Sequence, residues 1–184
     1  MDNPVQDNSV HDAMERWLKD VVIGMNLCPF ASKPTSRGAV RVASTEAVTP
    51  EAIVSFLQQE LEMLEDSSPV DLETTLVVLT EALWDFEQYT DFLMLVNAWL
   101  DDSGWADTFQ VASFHPDYCF EGAEPEDVEN YTNRAPYPVF HLLREQSLSD
   151  ALAHYPNPES IPEKNMANLR RLTPKQLSEL FPYL

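Results

Sequence analysis

Three stretches of this chain concentrate side chains that can move protons or hold ions. Phe114-His-Pro-Asp-Tyr118 sets an imidazole and a carboxylate two positions apart. Asn130-Tyr-Thr-Asn-Arg134 offers two amides, a phenol, a hydroxyl and a guanidinium, and His141-Leu-Leu-Arg144 a second imidazole and guanidinium. Imidazole has the ordinary pKa nearest neutrality, and a carboxylate can fix its tautomer, so His115 with Asp117 is a candidate acid–base pair and His141 a second candidate. On extended backbone His115 and Asp117 face the same side. The competing reading of His115 is a strand-end imidazole bonded to backbone. His141 and Arg144 differ by three, so a helical turn would align them and a strand would oppose them.

Cys28, inside Asn26-Leu-Cys-Pro-Phe-Ala31, is the candidate nucleophile. Cys-Pro-Phe-Ala is similar to the active-site motif of omega-class glutathione transferases and some glutaredoxins, where the thiol sits at a helix N-terminus that lowers its pKa. Here the expected helix precedes the cysteine, and Pro34 and Gly38 argue against one following it. A helix C-terminus disfavours thiolate, so activation requires His115, His141 or an arginine nearby. The alternative is a small buried residue at a helix stop. No HExxH or paired CxxC spacing occurs, and Cys28 and Cys119 stand 91 positions apart, so no metal and no cofactor is expected.

The charge map sharpens the arginines. The chain of 184 residues has formal net charge −20 from 31 acidic and 11 basic residues, which argues against nucleic acid and anionic membranes as partners. From Val42 to Asn133 there are 92 residues with 21 carboxylates and not one Lys or Arg. Arg37, Arg41, Arg134 and Arg144 therefore stand out beside the polar motifs, and a guanidinium fork suits carboxylate or phosphate. That pattern points to a pocket for a small anionic molecule, with structural ion pairs as the alternative.

The positioning elements follow from periodicity. Val10, Met14, Trp17, Leu18, Val21 and Met25 predict an amphipathic helix after a disordered tail over 1–9, with loop over 29–38. A strand is expected over Ala39–Ser44, a helix from Thr49-Pro50, a buried strand over Thr74–Leu79, a helix from Phe86 to near Gly104, and a strand over Phe109–Phe114. Val139–Arg144 reads as a fourth strand, with one helical turn as the alternative, and three short helices, starting at Ser147, Ser160 and Thr173, complete the chain, the last two opening with capping boxes. The expectation is one α/β domain over 10–184. Its sheet is mostly parallel, three to four strands with crossover helices, flanked by N-terminal and C-terminal helices. Ligands of such sheets gather beyond the strands' carboxyl ends, where His115 falls, and the loop from 115 to about 137 is long enough to be functional. The polar acidic N-terminus lacks a leader pattern, no apolar run reaches membrane-span length, and two cysteines are too few for a disulfide framework; together these lead to the expectation of a cytoplasmic protein.

Taken together, the motifs at 26–31, 114–118, 130–138 and 141–145 resemble the bacterial family catalogued as domain of unknown function 1415, across Met14 to Arg171. The resemblance implies a single bacterial domain with these motifs as hallmarks, and carries no reaction with it. From the residues, the chain reads as a small enzyme acting on a small anion, a hydrolase or transferase. Cys28, His115, Asp117 and His141 are its candidate catalytic groups. Asn26, Arg41, Tyr118, Asn130, Tyr131, Asn133, Arg134 and Arg144 are its candidate binding groups. The rival is a non-catalytic module that binds a small ligand or a protein through the same pocket.

Overall fold

The structure, a computed structural model, describes residues 8–184. The expected tail at 1–9 lies mostly outside them; Asn8 and Ser9 open the first helix, α1 (Asn8–Arg16), which runs on as a π-helical segment, Trp17–Ile23. Asn26 ends it in the left-handed region (φ 53°), where asparagine is tolerated at helix stops. The interval expected as loop holds a five-residue helix, α2 (Ser32–Ser36). Pro34 does not prevent it, because it falls in the first turn, where backbone N–H groups have no intrahelical partner.

The next elements follow in order: β1 (Val40–Thr45), α3 (Pro50–Asp66), β2 (Thr74–Leu79), α4 (Phe86–Asp102), β3 (Phe109–Phe114) and β4 (Val139–Arg144). Thr49 caps α3 by accepting from Ala52 N–H, with Pro50 at the first helical position. The terminal helices are α5 (Glu145–Ala153), α6 (Ile161–Leu169) and α7 (Pro174–Leu180). Thr173 and Gln176 form a full capping box; Ser160 does not, because its hydroxyl donates to the Asn157 carbonyl instead.

The sheet corrects the expected topology. Strand order is β1-β2-β4-β3, with β1–β2 parallel and both pairings of β4 antiparallel, so the sheet is mixed and mostly antiparallel. β1, β2 and β3 do run the same way, as helical crossovers dictate. The chain then returns through 115–138 without a crossover helix, and a strand arriving that way comes back antiparallel. It enters the gap between β2 and β3. The carboxyl ends of β1, β2 and β3 thus share one edge with the start of β4.

Every residue of β2 is buried, and its alternation divides the core. Leu76 and Val78 meet α1, the π-helical segment, Leu27, Leu169 and Phe181, so α6 and the end of α7 join the N-terminal helix on one face. Val77 and Leu79 meet α3 and α4 on the other, through Ile53, Leu57, Leu61, Tyr89, Phe92 and Val96. Thr75 has a fully buried hydroxyl without a hydrogen-bond partner among the described residues. An orphan buried hydroxyl costs free energy that an apolar group of the same shape does not, so Thr75→Val is expected to raise stability by about 1 kcal/mol, read as a higher urea midpoint at unchanged m. Among the described residues no helix is long and apolar enough to cross a membrane.

Candidate functional site

His115 stands at the carboxyl edge, at the end of β3, and is fully buried. Its Nε2 lies 3.0 Å from the Leu83 carbonyl and its Nδ1 3.0 Å from the Asp117 backbone N–H. Nδ1 therefore accepts and Nε2–H donates: a neutral ring with both nitrogens committed. Burial pushes its pKa down, partly offset by the Leu83 carbonyl and the Asp117 carboxylate. Leu83 is one of three non-glycine residues at positive φ (58°) among the described residues, so the imidazole holds a strained turn before α4. The Asp117 side chain is exposed.

The Asn-Tyr-Thr-Asn-Arg motif is a clasp for the long loop. It forms a 3-10 turn, Val128–Asn133, in which Asn130 is fully buried. Asn130 accepts from Phe120 N–H at 2.9 Å and donates to the Glu124 carbonyl at 2.7 Å. Arg134 donates to the carbonyls of Tyr118 (3.3 Å) and Pro125 (2.7 Å) and lies over the Tyr131 ring, while Tyr131 packs edge-on against Phe181. The backbone carbonyl of Arg134 in turn accepts from Trp17 Nε1–H at 2.9 Å, tying the loop to the N-terminal helix. Tyr118 packs at a tilt against Phe86 and edge-on against Phe120.

Arg37, Arg41 and Arg144 also have protein partners. Arg41 forms a two-pronged pair with Glu60 of α3, Nε–Oε2 at 2.8 Å and a terminal nitrogen to Oε1 at 3.2 Å. Arg37 pairs with Glu73 and the Pro69 carbonyl. Arg144 lies at the opposite edge of the sheet and donates to the carbonyls of Leu64, Ser67 and Leu72, closing the C-terminus of α3. The guanidinium groups expected to hold an anion thus bind carboxylates and backbone carbonyls. His141, in mid-strand, has Nε2 2.7 Å from the Thr74 hydroxyl. That hydroxyl donates its proton to the Leu142 carbonyl, so Nε2–H is the donor. Burial lowers the His141 pKa to about 4.

Cys28 has a different setting. A cavity of about 310 Å³ opens beside it, lined by Val22, Leu27, Phe114, Phe120, Glu129, Thr132, Asn133, Pro162, Asn165 and Met166. The turn after the π-helical segment, the end of β3, the clasp and α6 all contribute, so sequence positions from 22 to 166 converge here. The Phe30 and Ala31 N–H groups pull the thiol pKa down, but burial outweighs them and raises it. Asn165 donates to the Leu27 carbonyl at 2.8 Å, and Asn133 to the Ser113 carbonyl at 3.1 Å. Neither His115, His141 nor any arginine lines this space. A second cavity of about 230 Å³ lies between α1 and the C-terminal segment, where Arg16 shares the wall with Asp20 and Glu179.

Of the twelve candidate residues, then, Cys28 and Asn133 face the cavity. His115, Asp117, Tyr118, Asn130, Tyr131 and Arg134 build the loop around it, Asn26 forms the exposed turn before it, and Arg41, His141 and Arg144 lie elsewhere on the sheet. Residue patterns missed Glu129, Thr132, Pro162, Asn165 and Met166. Asn165 carried a usable signal: it falls four positions before Leu169, on a buried helical face where an amide needs a partner. Among the described residues the one tight group of three metal-capable side chains is His11, Asp12 and Glu15, on the solvent side of α1.

The family model described as protein of unknown function (DUF1415) matches residues 9–179, and the chain belongs to that family. No curated protein and no solved structure matches it.

Proposed function

We propose that this DUF1415 chain is a small-ligand-binding protein whose site is the cavity beside Cys28. The carrying observation is convergence: four separate segments supply a mostly apolar wall with a thiol, a hydroxyl, two amides and one carboxylate. Apolar concavity with a few placed polar groups is the usual form of a small-molecule site. The enzymatic rival needs a base or a cation next to the thiol. It receives less support, because His115 has both nitrogens engaged and burial favours the protonated sulfur.

Alkylation of Cys28 separates the two. In a Cys119→Ser background, iodoacetamide is expected to react with Cys28 several-fold more slowly than with free cysteine at neutral pH, since thiolate is the reactive form. Small apolar compounds carrying one polar group should slow it further in a saturable way, and Met166→Trp, which fills the wall, should abolish that protection. A panel giving no saturable protection sinks the binding reading. Reaction faster than free cysteine would restore the nucleophile.

A further inference from the structure

We infer that the ligand of this cavity is a small amine, an apolar body ending in a protonated nitrogen that pairs with Glu129; the inference rests on the binding reading above. Among the described residues Glu129 is the one charged residue in the lining. It is partly buried, and no Lys, Arg or His lies within ion-pairing distance of it among the described residues. A partly buried carboxylate with no ion-pair partner among the described residues is a charge that an incoming cation can pair with.

The neighbouring polar groups suit the same ligand. The Asn165 amide is oriented by its bond to the Leu27 carbonyl, and its Oδ1 has no partner among the described residues. The Thr132 hydroxyl donates within the clasp, toward the Glu129 backbone carbonyl at 2.6 Å or Asn133 Oδ1 at 3.1 Å, which leaves its lone pairs available. An ammonium has three protons to donate and no acceptor. The thiol, kept protonated by burial, adds no charge. An anion would meet an unpaired carboxylate inside a protein of net charge −20, whereas a cation is drawn toward it. Phe114, Phe120, Leu27, Pro162 and Met166 accommodate the apolar body.

The test compares three probes of one shape by calorimetry at neutral pH: 2-phenylethylamine, 2-phenylethanol and 3-phenylpropionate. The amine should bind at least about tenfold more tightly than the alcohol, the scale of one charged hydrogen bond, and the carboxylate should bind more weakly than either. Glu129→Gln should erase the amine's advantage, bringing its affinity to that of the alcohol, with an unaltered thermal midpoint as the folding check. Glu126→Gln, which removes the same charge from an exposed site outside the lining, should preserve it. Equal binding of amine and alcohol, or equal loss in both variants, overturns the amine assignment and leaves the cavity reading standing. If none of the three binds, the cavity reading falls first and the amine with it.

Discussion

Arg41→Ala is expected to lower stability by about 3 kcal/mol, the lower end of the range for breaking a buried ion pair. The reason lies with the partner. Glu60 is 3% exposed on a face of α3 that also buries Leu57, Leu61 and Leu64, and Arg41 meets both of its oxygens. Removing the guanidinium leaves a carboxylate in apolar surroundings, and the fold must protonate it, hydrate it or open. The Arg41 side chain is itself 35% exposed, so water can enter after truncation, which places the effect toward that lower end. Arg41→Leu combined with Glu60→Leu should recover most of the loss, because matched apolar side chains replace a buried pair at little cost. Urea unfolding of the singles and the double measures it. A single variant within about 0.5 kcal/mol of the parent, the ordinary range for a surface change, would mean that Arg41 is not a structural partner.

Acid should weaken the fold through His141. Its ordinary pKa is 6.5 and its folded value about 4, because burial beside Thr74 and Phe114 disfavours the charged ring, to which no carboxylate is bonded among the described residues. Between those values the unfolded chain binds a proton that the native chain does not. Stability therefore rises with pH across that window, is fully present above the unfolded pKa, and is lost as pH falls through the folded one. At about 1.4 kcal/mol per unit, the shift corresponds to at most about 3.5 kcal/mol, and partial exposure of the ring brings that to roughly 2. His115, also pushed down by burial, acts in the same direction. In His141→Leu, proton uptake on unfolding between pH 6.5 and 4 should fall by about one. A parent and variant with parallel stability–pH curves would remove His141 from this role.

How far the residues disclose their own arrangement depends on the range of the interaction. β2 and β3 are legible at their observed bounds because a continuous apolar run and a short run bounded by aromatic residues are local signals. The start of α3 is equally legible from Thr49-Pro50, since a cap involves only its own turn. The place of β4 is not. Its β-branched and aromatic residues say strand, but whether it joins an edge or a gap depends on partners more than 60 positions away. The arginines fail for the same reason. Arg144 stands out in an acidic chain, yet the carbonyl of Leu64, 80 positions distant, is what it binds. Around the site, the motifs correctly mark the loop at 115–138, but hydrogen-bonding richness does not distinguish a side chain that faces a ligand from one that holds backbone. Asn130 and Asn133 share one motif and both bond backbone carbonyls, yet only Asn133 also lines the cavity.

The inserted position of β4 bears on how this chain emerges from the ribosome. Thr74–Leu79 has no charge, no proline and no glycine, and one of its two edges meets nothing until Val139–Arg144 has been synthesised. For the intervening stretch of translation, an apolar β-branched ribbon is open to pairing with any neighbouring nascent chain. The carboxylates that dominate the segment made during that interval surround the exposed ribbon with like charge, and mutual repulsion between copies is a means of keeping it solitary until its own partner arrives.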